Sequence, residues 1–271
     1  MKKVSVLMSV YRKENPQYLK KAINSLLKQT QIPDEIEIIK DGPLTKKLEK
    51  VLTDFKGQYP HLFTIYGFKH NHGLAYALCY GVVHAQNEYI ARMDSDDIAA
   101  SDRLEKQIKA MTKGNYDIYG GQIKEFENTT KEIIAKREVP LTLNAIKKFA
   151  HRRNPMNHMT VMFKKDKILD LGNYHPINGF EDYDLWIRAI EAGLKLGNST
   201  NTYVYVRAGY EMTQRRGGLR YILENFKARK EFKENGFYNT EDFLITTLGG
   251  TVTSLVPNKL RYFIYYKLLR K

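Results

Sequence analysis

Three carboxylates, Asp94, Asp96 and Asp97, crowd the end of the run Tyr-Ile-Ala-Arg-Met-Asp-Ser-Asp-Asp at residues 89–97. Like charges so close together at the end of a strand cost free energy unless a cation or hydrogen-bond donors compensate them. Oxygen ligands of this kind suit Mg²⁺ or Mn²⁺, which take one or two protein carboxylates and complete their shell with water and substrate phosphates. By itself Asp-x-Asp is a weak pattern. An acidic turn in which Ser95 and Asp96 cap a following helix accounts for it as well, and the neighbouring segments must decide.

Those segments alternate. Residues 4–10 form a near-continuous apolar run, as a strand buried on both faces should. Asn15 then reads as an N-cap with Pro16 at the first helical position, and Leu19, Ile23, Leu26 and Leu27 make one apolar stripe. A second strand spans 35–40 and ends at Asp41-Gly42-Pro43. A helix marked by Leu48, Val51, Leu52 and Phe55 follows, then a third strand at 62–68. After Asn71-His72-Gly73, a helix marked by Leu74, Leu78 and Val82 leads into the acidic run. This βαβαβαβ order predicts an α/β fold with a doubly wound, mostly parallel sheet and right-handed crossovers. Ligands of such sheets bind at the carboxyl ends of the strands. Ser9 and Tyr11, Asp41, Asn71 to Gly73, and Asp94 to Asp97 should therefore share one edge. There Asp41 is placed to accept a nucleobase N–H, although Asp-Gly-Pro is also an ordinary turn. No Gly-x-Gly-x-x-Gly or Walker loop follows the first strand, which disfavours a dinucleotide or P-loop site.

The 271 residues suffice for one large domain, or one domain with a tail, and the 42% hydrophobic content is that of a globular chain. The single cysteine, Cys79, allows no disulfide framework and points to a reducing compartment. The N-terminus reads as a first strand and not as a signal peptide. No window reaches the ~20 apolar residues of a spanning helix, the longest candidate being 243–256. The net charge of +14 calls for a polyanionic partner: nucleic acid, an anionic membrane surface or a phosphorylated substrate. Residues 257–271 carry five basic and no acidic residues, interleaved with aromatic and aliphatic ones. That mixture suits a helix lying on an anionic membrane surface, and equally a basic terminal helix docked on its own domain.

Taken together, the segments resemble the GT-A fold glycosyltransferases of family 2, especially bacterial enzymes of capsule, exopolysaccharide and O-antigen assembly. The resemblance is carried by Val6-Leu7-Met8-Ser9-Val10-Tyr11, Lys40-Asp41-Gly42-Pro43, Asn71-His72-Gly73-Leu74-Ala75, Ala91-Arg92-Met93-Asp94-Ser95-Asp96-Asp97, Arg103-Leu104-Glu105-Lys106-Gln107 and Gly179-Phe180-Glu181-Asp182-Tyr183-Asp184-Leu185-Trp186. It covers residues 1–195 and implies an inverting, UDP-sugar-dependent hexosyltransferase. Ser9, Tyr11, Asp41, Asn71, Gly73, Arg92, Asp94 and Ser95 would hold the UDP-sugar, and Asp96 would be the protein ligand of Mn²⁺ or Mg²⁺. Asp182 would be the general base, with Glu181, Trp186 and His158 shaping the acceptor site. Transfer from UDP needs its diphosphate neutralised and a base on the acceptor hydroxyl opposite the leaving group. Asp182 suits that task as a residue at a helix start, where the helix N-terminus should lower its pKa and hold it ionised. The competing account makes Glu181 and Asp182 plain N-terminal helix acids and Trp186 plain core.

The loop at 207–218, with Arg215 and Arg216, reads either as a basic flap over a diphosphate or as a solvated loop. Some relatives add a metal-binding histidine downstream of the Glu-Asp pair, and no histidine follows His175 here. Water and diphosphate, or Arg215 and Arg216, would take its place. The expected division is a transferase domain at 1–215 and a helical, basic and aromatic membrane-surface segment at 216–271. The expected protein is cytoplasmic, peripheral at the inner face of the cell membrane, and acts on a lipid-linked glycan with no nucleic acid partner. A metal-dependent nucleotidyltransferase would share the nucleotide-binding sheet but needs a second metal carboxylate on a later strand. A basic nucleic-acid-binding module would bind through Lys and Arg alone.

Overall fold

The computed structural model describes residues 2–177, 179–208 and 217–264. Its first half follows the alternation: β1 (Val4–Tyr11), α1 (Pro16–Leu27), β2 (Glu35–Asp41), α2 (Lys46–Gln58), β3 (Phe63–Gly67), α3 (Leu74–His84) and β4 (Tyr89–Arg92). Asn15 caps α1, its side chain accepting the Gln17 N–H at 2.8 Å, with Pro16 opening the helix. These four strands are parallel, in the order β3-β2-β1-β4. Both faces of β1 are buried. Val4, Val6, Met8 and Val10 meet α1 and α2, and Leu7 meets α3, so the sheet separates two apolar cores.

The carboxylate cluster does not cap a helix. It is followed by β5 (Ile98–Ala99), and α4 (Arg103–Gly114) begins only afterwards, which removes the capping account of Ser95 and Asp96. The sheet continues with β6 (Ile118–Phe126), β7 (Ile133–Arg137), α5 (Leu143–Ala150), a 3₁₀ turn (His158–Thr160), β8 (Met162–Lys164), α6 (Lys165–Asp170), α7 (Glu181–Glu191) and β9 (Leu196–Arg207). Here the direction changes: β8 is antiparallel to both β4 and β6, β9 is parallel to β6, and β5 returns antiparallel to β9. The start of β8, not its end, thus lies at the edge where β4 finishes.

At the opposite end of the sheet two acids are buried. Glu35 accepts from the Ser5 hydroxyl at 2.6 Å and from the Gln86 N–H at 2.8 Å. Glu37, two residues along on the same face, is fully buried and neither carboxyl oxygen has a hydrogen-bond partner. Burial, with Glu35 beside it, pushes its pKa up to about 8.

Three helices close the described chain: α8 (Leu219–Glu234), α9 (Thr240–Leu255) and α10 (Asn258–Phe263). A capping box between Asn239 and Asp242 starts α9, and Asp242 also pairs with His151, at 2.8 Å, and with Arg152, tying α9 to the turn after α5. The buried residues of α9 are Asp242, Thr246 and Ser254, whereas Leu244, Ile245, Leu248, Val252 and Leu255 are exposed. Among the described residues no helix is long and apolar enough to cross a membrane. The basic segment at 257–271 is only partly described, and Arg261 within it is not a surface cation: it is buried and donates to the carbonyls of Thr253, Ser254 and Val256 at 2.9, 2.7 and 2.7 Å. Its guanidinium caps α9, because carbonyls left over at a helix end need donors.

Candidate active site

One cavity of about 800 Å³ gathers the strand tips and the Glu181-Asp182 pair, a volume near the upper end of the range usual for small-molecule sites, roughly 300–1,000 Å³. Ser9, Tyr11, Asp41, Asn71, Gly73, Asp94, Ser95 and Asp96 all line it, as does Asp97. Asp41 is the clamp of this rim: its carboxylate accepts the Asn71 side-chain amide at 2.8 Å, the His72 N–H at 2.7 Å and the Gly73 N–H at 3.0 Å. A carboxylate has about four lone-pair sites, so at most one remains for a nucleobase. Gly42 makes the clamp possible, having φ +86° and no room for a Cβ against the backbone of Asn71.

At the tip of β4 the Asp94 carboxylate is held by the Arg92 guanidinium at 2.6 Å. Arg92, expected to touch the donor, is buried behind the rim and does not reach the cavity. Its position under a row of acids explains this: the guanidinium offsets their charge from below. Asp97 is also buried, with Oδ1 accepting the Arg207 N–H at 2.8 Å and Oδ2 lacking a partner. Burial and the charges of Asp96 and Asp94 push its carboxyl well above the usual range. Among the described residues no group of three or more His, Cys, Asp or Glu side chains is arranged around a metal position. A divalent cation would have to be held in the other way, by a single carboxylate such as Asp96 with substrate oxygens and water completing the shell.

Across the cavity α7 begins at Glu181, earlier than the apolar pattern suggests, and places both acids in its first turn. Asp182 accepts the Asn154 side-chain amide at 2.6 Å and the Tyr183 N–H at 2.8 Å. Asn154 arrives here because β8 runs backwards, bringing the segment before it to this edge, where Arg137 fixes it by donating to the Asn154 carbonyl and the Asn157 side chain, both at 2.8 Å. The helix start was expected to lower the Asp182 pKa. Instead it is raised, because burial outweighs the favourable partners. Burial and the neighbouring Asp182 likewise lift Glu181 to about 7, so the pair releases its last proton near neutral pH.

Of the acceptor-side residues, Trp186 needs correction and His158 stays at the cavity in a narrower role. Trp186 is fully buried and does not line the cavity; its ring packs 6.0 Å from that of His158. His158 does line the cavity but is itself buried, and its Nε2 bonds the Tyr174 hydroxyl at 2.9 Å. Burial and Arg92 hold its pKa well below the usual value, so it is neutral and brings no charge to a diphosphate. Arg215 and Arg216 lie outside the described residues. Residues that the sequence did not single out also line the cavity: Arg137, Arg152, Arg153 and Asn154, and Tyr221, Asn225 and Arg229 from α8. The last three recur at every fourth position, one face of a helix, which was the available signal.

The profile of glycosyl transferase family 2 matches residues 5–170, the segment that builds β1 to α6. The chain belongs to glycosyl transferase family 2. This glycosyltransferase is 37% identical to the amylovoran biosynthesis glycosyltransferase AmsE of Erwinia amylovora, covering 97% of this chain and 98% of that one. It is 34% identical to the UDP-Gal:alpha-D-GlcNAc-diphosphoundecaprenol beta-1,3-galactosyltransferase of Escherichia coli, over 99% and 97% of the two chains. Its fold is the GT-A fold of solved neighbours. The mannosyltransferase PcManGT of Pyrobaculum calidifontis, in complex with GDP-Man and Mn2+, superposes with TM-score 0.65 at 14% identity over 96% of this chain and 72% of that one. Residues 1-349 of S. aureus TarS in complex with UDP-GlcNAc give TM-score 0.62 at 18% identity, over 97% and 86%.

Proposed function

We propose that this glycosyltransferase moves a hexose or N-acetylhexosamine from a UDP-sugar to a hydroxyl of a lipid-linked glycan, with inversion, in the synthesis of a surface polysaccharide. The observation that carries the reading is the convergence of the β1, β2 and β4 tips with Asp182 in one cavity. The E. coli relative, named for UDP-Gal and a diphosphoundecaprenol acceptor, and AmsE, named for amylovoran, support the substrate classes. In this reading Tyr11 and the Asp41 clamp take the uracil and Asp94 the ribose or sugar. Asp96 would hold a divalent cation, Mn²⁺ or Mg²⁺, which supplies charge neutralisation at the leaving diphosphate. Asp182, oriented by Asn154, takes the proton of the acceptor hydroxyl on the face opposite the leaving group. Its raised pKa favours this role, because an acceptor whose pKa approaches the working pH draws a proton best.

In the same reading residues 1–215 form the transferase domain, and 216–271, whose helix α8 also lines the cavity, the segment that meets the membrane. The protein works at the cytoplasmic face of the cell membrane, its exposed apolar residues on α9 adding to the basic C-terminal sequence as a contact for anionic lipid. Calorimetric titration with UDP, with and without Mn²⁺, on wild type and Asp96→Ala tests the donor site. Binding that needs both the metal and Asp96 is expected; absence of UDP binding under every condition removes the assignment.

A further inference from the structure

The cavity is lined by two groups of charged residues. Its strand-tip side is acidic, and an anionic diphosphate approaches that side only behind a cation. The rest of the lining adds four arginines to Glu181 and Asp182: Arg137 from β7, Arg152 and Arg153 from the turn after α5, and Arg229 from α8. The Arg152 charge is offset by Asp242 and Glu241. Arg153 is exposed, its guanidinium lies over the Phe149 ring at 5.8 Å, and among the described residues it joins no salt bridge. Arg229 projects from the same helix face as Tyr221 and Asn225, beside the Tyr183 and Tyr238 hydroxyls that bond each other at 2.8 Å. Space for it is made by α9, where a Cβ on Gly250 would collide with the guanidinium.

We propose that Arg153 and Arg229, with the Asp242-anchored Arg152 between α5 and α9, form an anion subsite that binds a diphosphate on the acceptor. Guanidinium groups match phosphate oxygens in pairs and stay charged at every working pH. Position supports the assignment. Arg153 precedes Asn154, the residue that donates to Asp182, so an acceptor hydroxyl at the base has its anionic linkage on this wall. The outward side of the same helices supplies the rest: Leu219, Leu223 and Phe226 on α8 and Leu244, Leu248 and Val252 on α9 are exposed, a surface for the apolar remainder of such a molecule as it leaves the cavity. The inference rests on the reading that the donor occupies the strand-tip rim.

The test is calorimetric titration with inorganic pyrophosphate in EDTA, at low ionic strength, where the acid rim repels anions and the arginine wall is isolated. Saturable binding at one site is expected, weakened at least about tenfold in Arg153→Ala and in Arg229→Lys, since a lysine keeps the charge but not the paired geometry. Asp96→Ala should bind pyrophosphate at least as tightly as wild type, because it removes one repelling rim carboxylate, which separates this result from any failure of the donor site. Three results overturn the proposal: no saturable binding, unchanged affinity in both arginine variants, or stoichiometric displacement of pyrophosphate by UDP, which would give the wall to the donor.

Discussion

Glu37 is fully buried on β2 without a hydrogen-bond partner, and its pKa stands at about 8. Lys165 bears on it electrostatically, but that ammonium donates to the carbonyls of Val83 and Ala85, both at 2.8 Å, and does not pair with it. The folded protein therefore keeps the Glu37 proton over a range in which the unfolded chain, titrating near the ordinary 4.5, has released it. Where the unfolded state binds fewer protons, stability falls as pH rises. The loss begins near pH 4.5, continues to about 8 and is complete above it; at about 1.4 kcal/mol per pH unit it reaches at most about 5 kcal/mol. Glu37→Gln removes the titration and keeps the shape. Urea unfolding of both proteins, at steps from about pH 5 to about pH 8.5, should give a stability difference that grows in favour of the variant as pH rises. Comparing the two cancels the other titrating groups. A difference independent of pH, or one growing towards acid, would refute the reasoning.

Other perturbations reach the cavity directly. Asp182→Asn should lower kcat by roughly 10²–10⁴ while leaving the UDP titration unchanged. The acid limb of the pH–rate profile should reflect the Glu181-Asp182 pair, activity falling as pH drops below about 7. Asn154→Leu removes a hydrogen bond that favours the Asp182 carboxylate, so this limb should move to higher pH, as initial rates across a buffer series would register. Gly250→Val, by crowding the Arg229 guanidinium, should weaken pyrophosphate binding without altering any charge.

Much of the strand-tip rim was legible because each part is local. Strand runs such as 4–10, the Asn15-Pro16 helix start and the acidic tip announce themselves within a few residues, and a parallel sheet forces their ends together. The far wall was not. Arg137, Arg153 and Arg229 are ordinary basic residues in a chain with 44 of them, and only the tertiary fold selects these. The same limit governs Asp182 and Trp186. Their helix could be read from its apolar positions, but how deeply each side chain is buried depends on α8 and on the segment before β8. Burial then reversed the expected pKa shift of one and withdrew the other from the site.

The backward course of β8 bears on how such a cavity diversifies. Three residues, Met162–Lys164, join the parallel half of the sheet to the rest. The rim is carried by loops that leave strands in the forward direction, whereas Asn154 and His158 approach from upstream of a reversed one. Exchanges on α8, or insertions between α5 and Asn154, alter the surroundings of Asp182 and leave the Asp41 clamp in place. The seam thus sorts the cavity lining into two sets of loops, so the neighbourhood of Asp182 can change without rebuilding Asp41 and its partners.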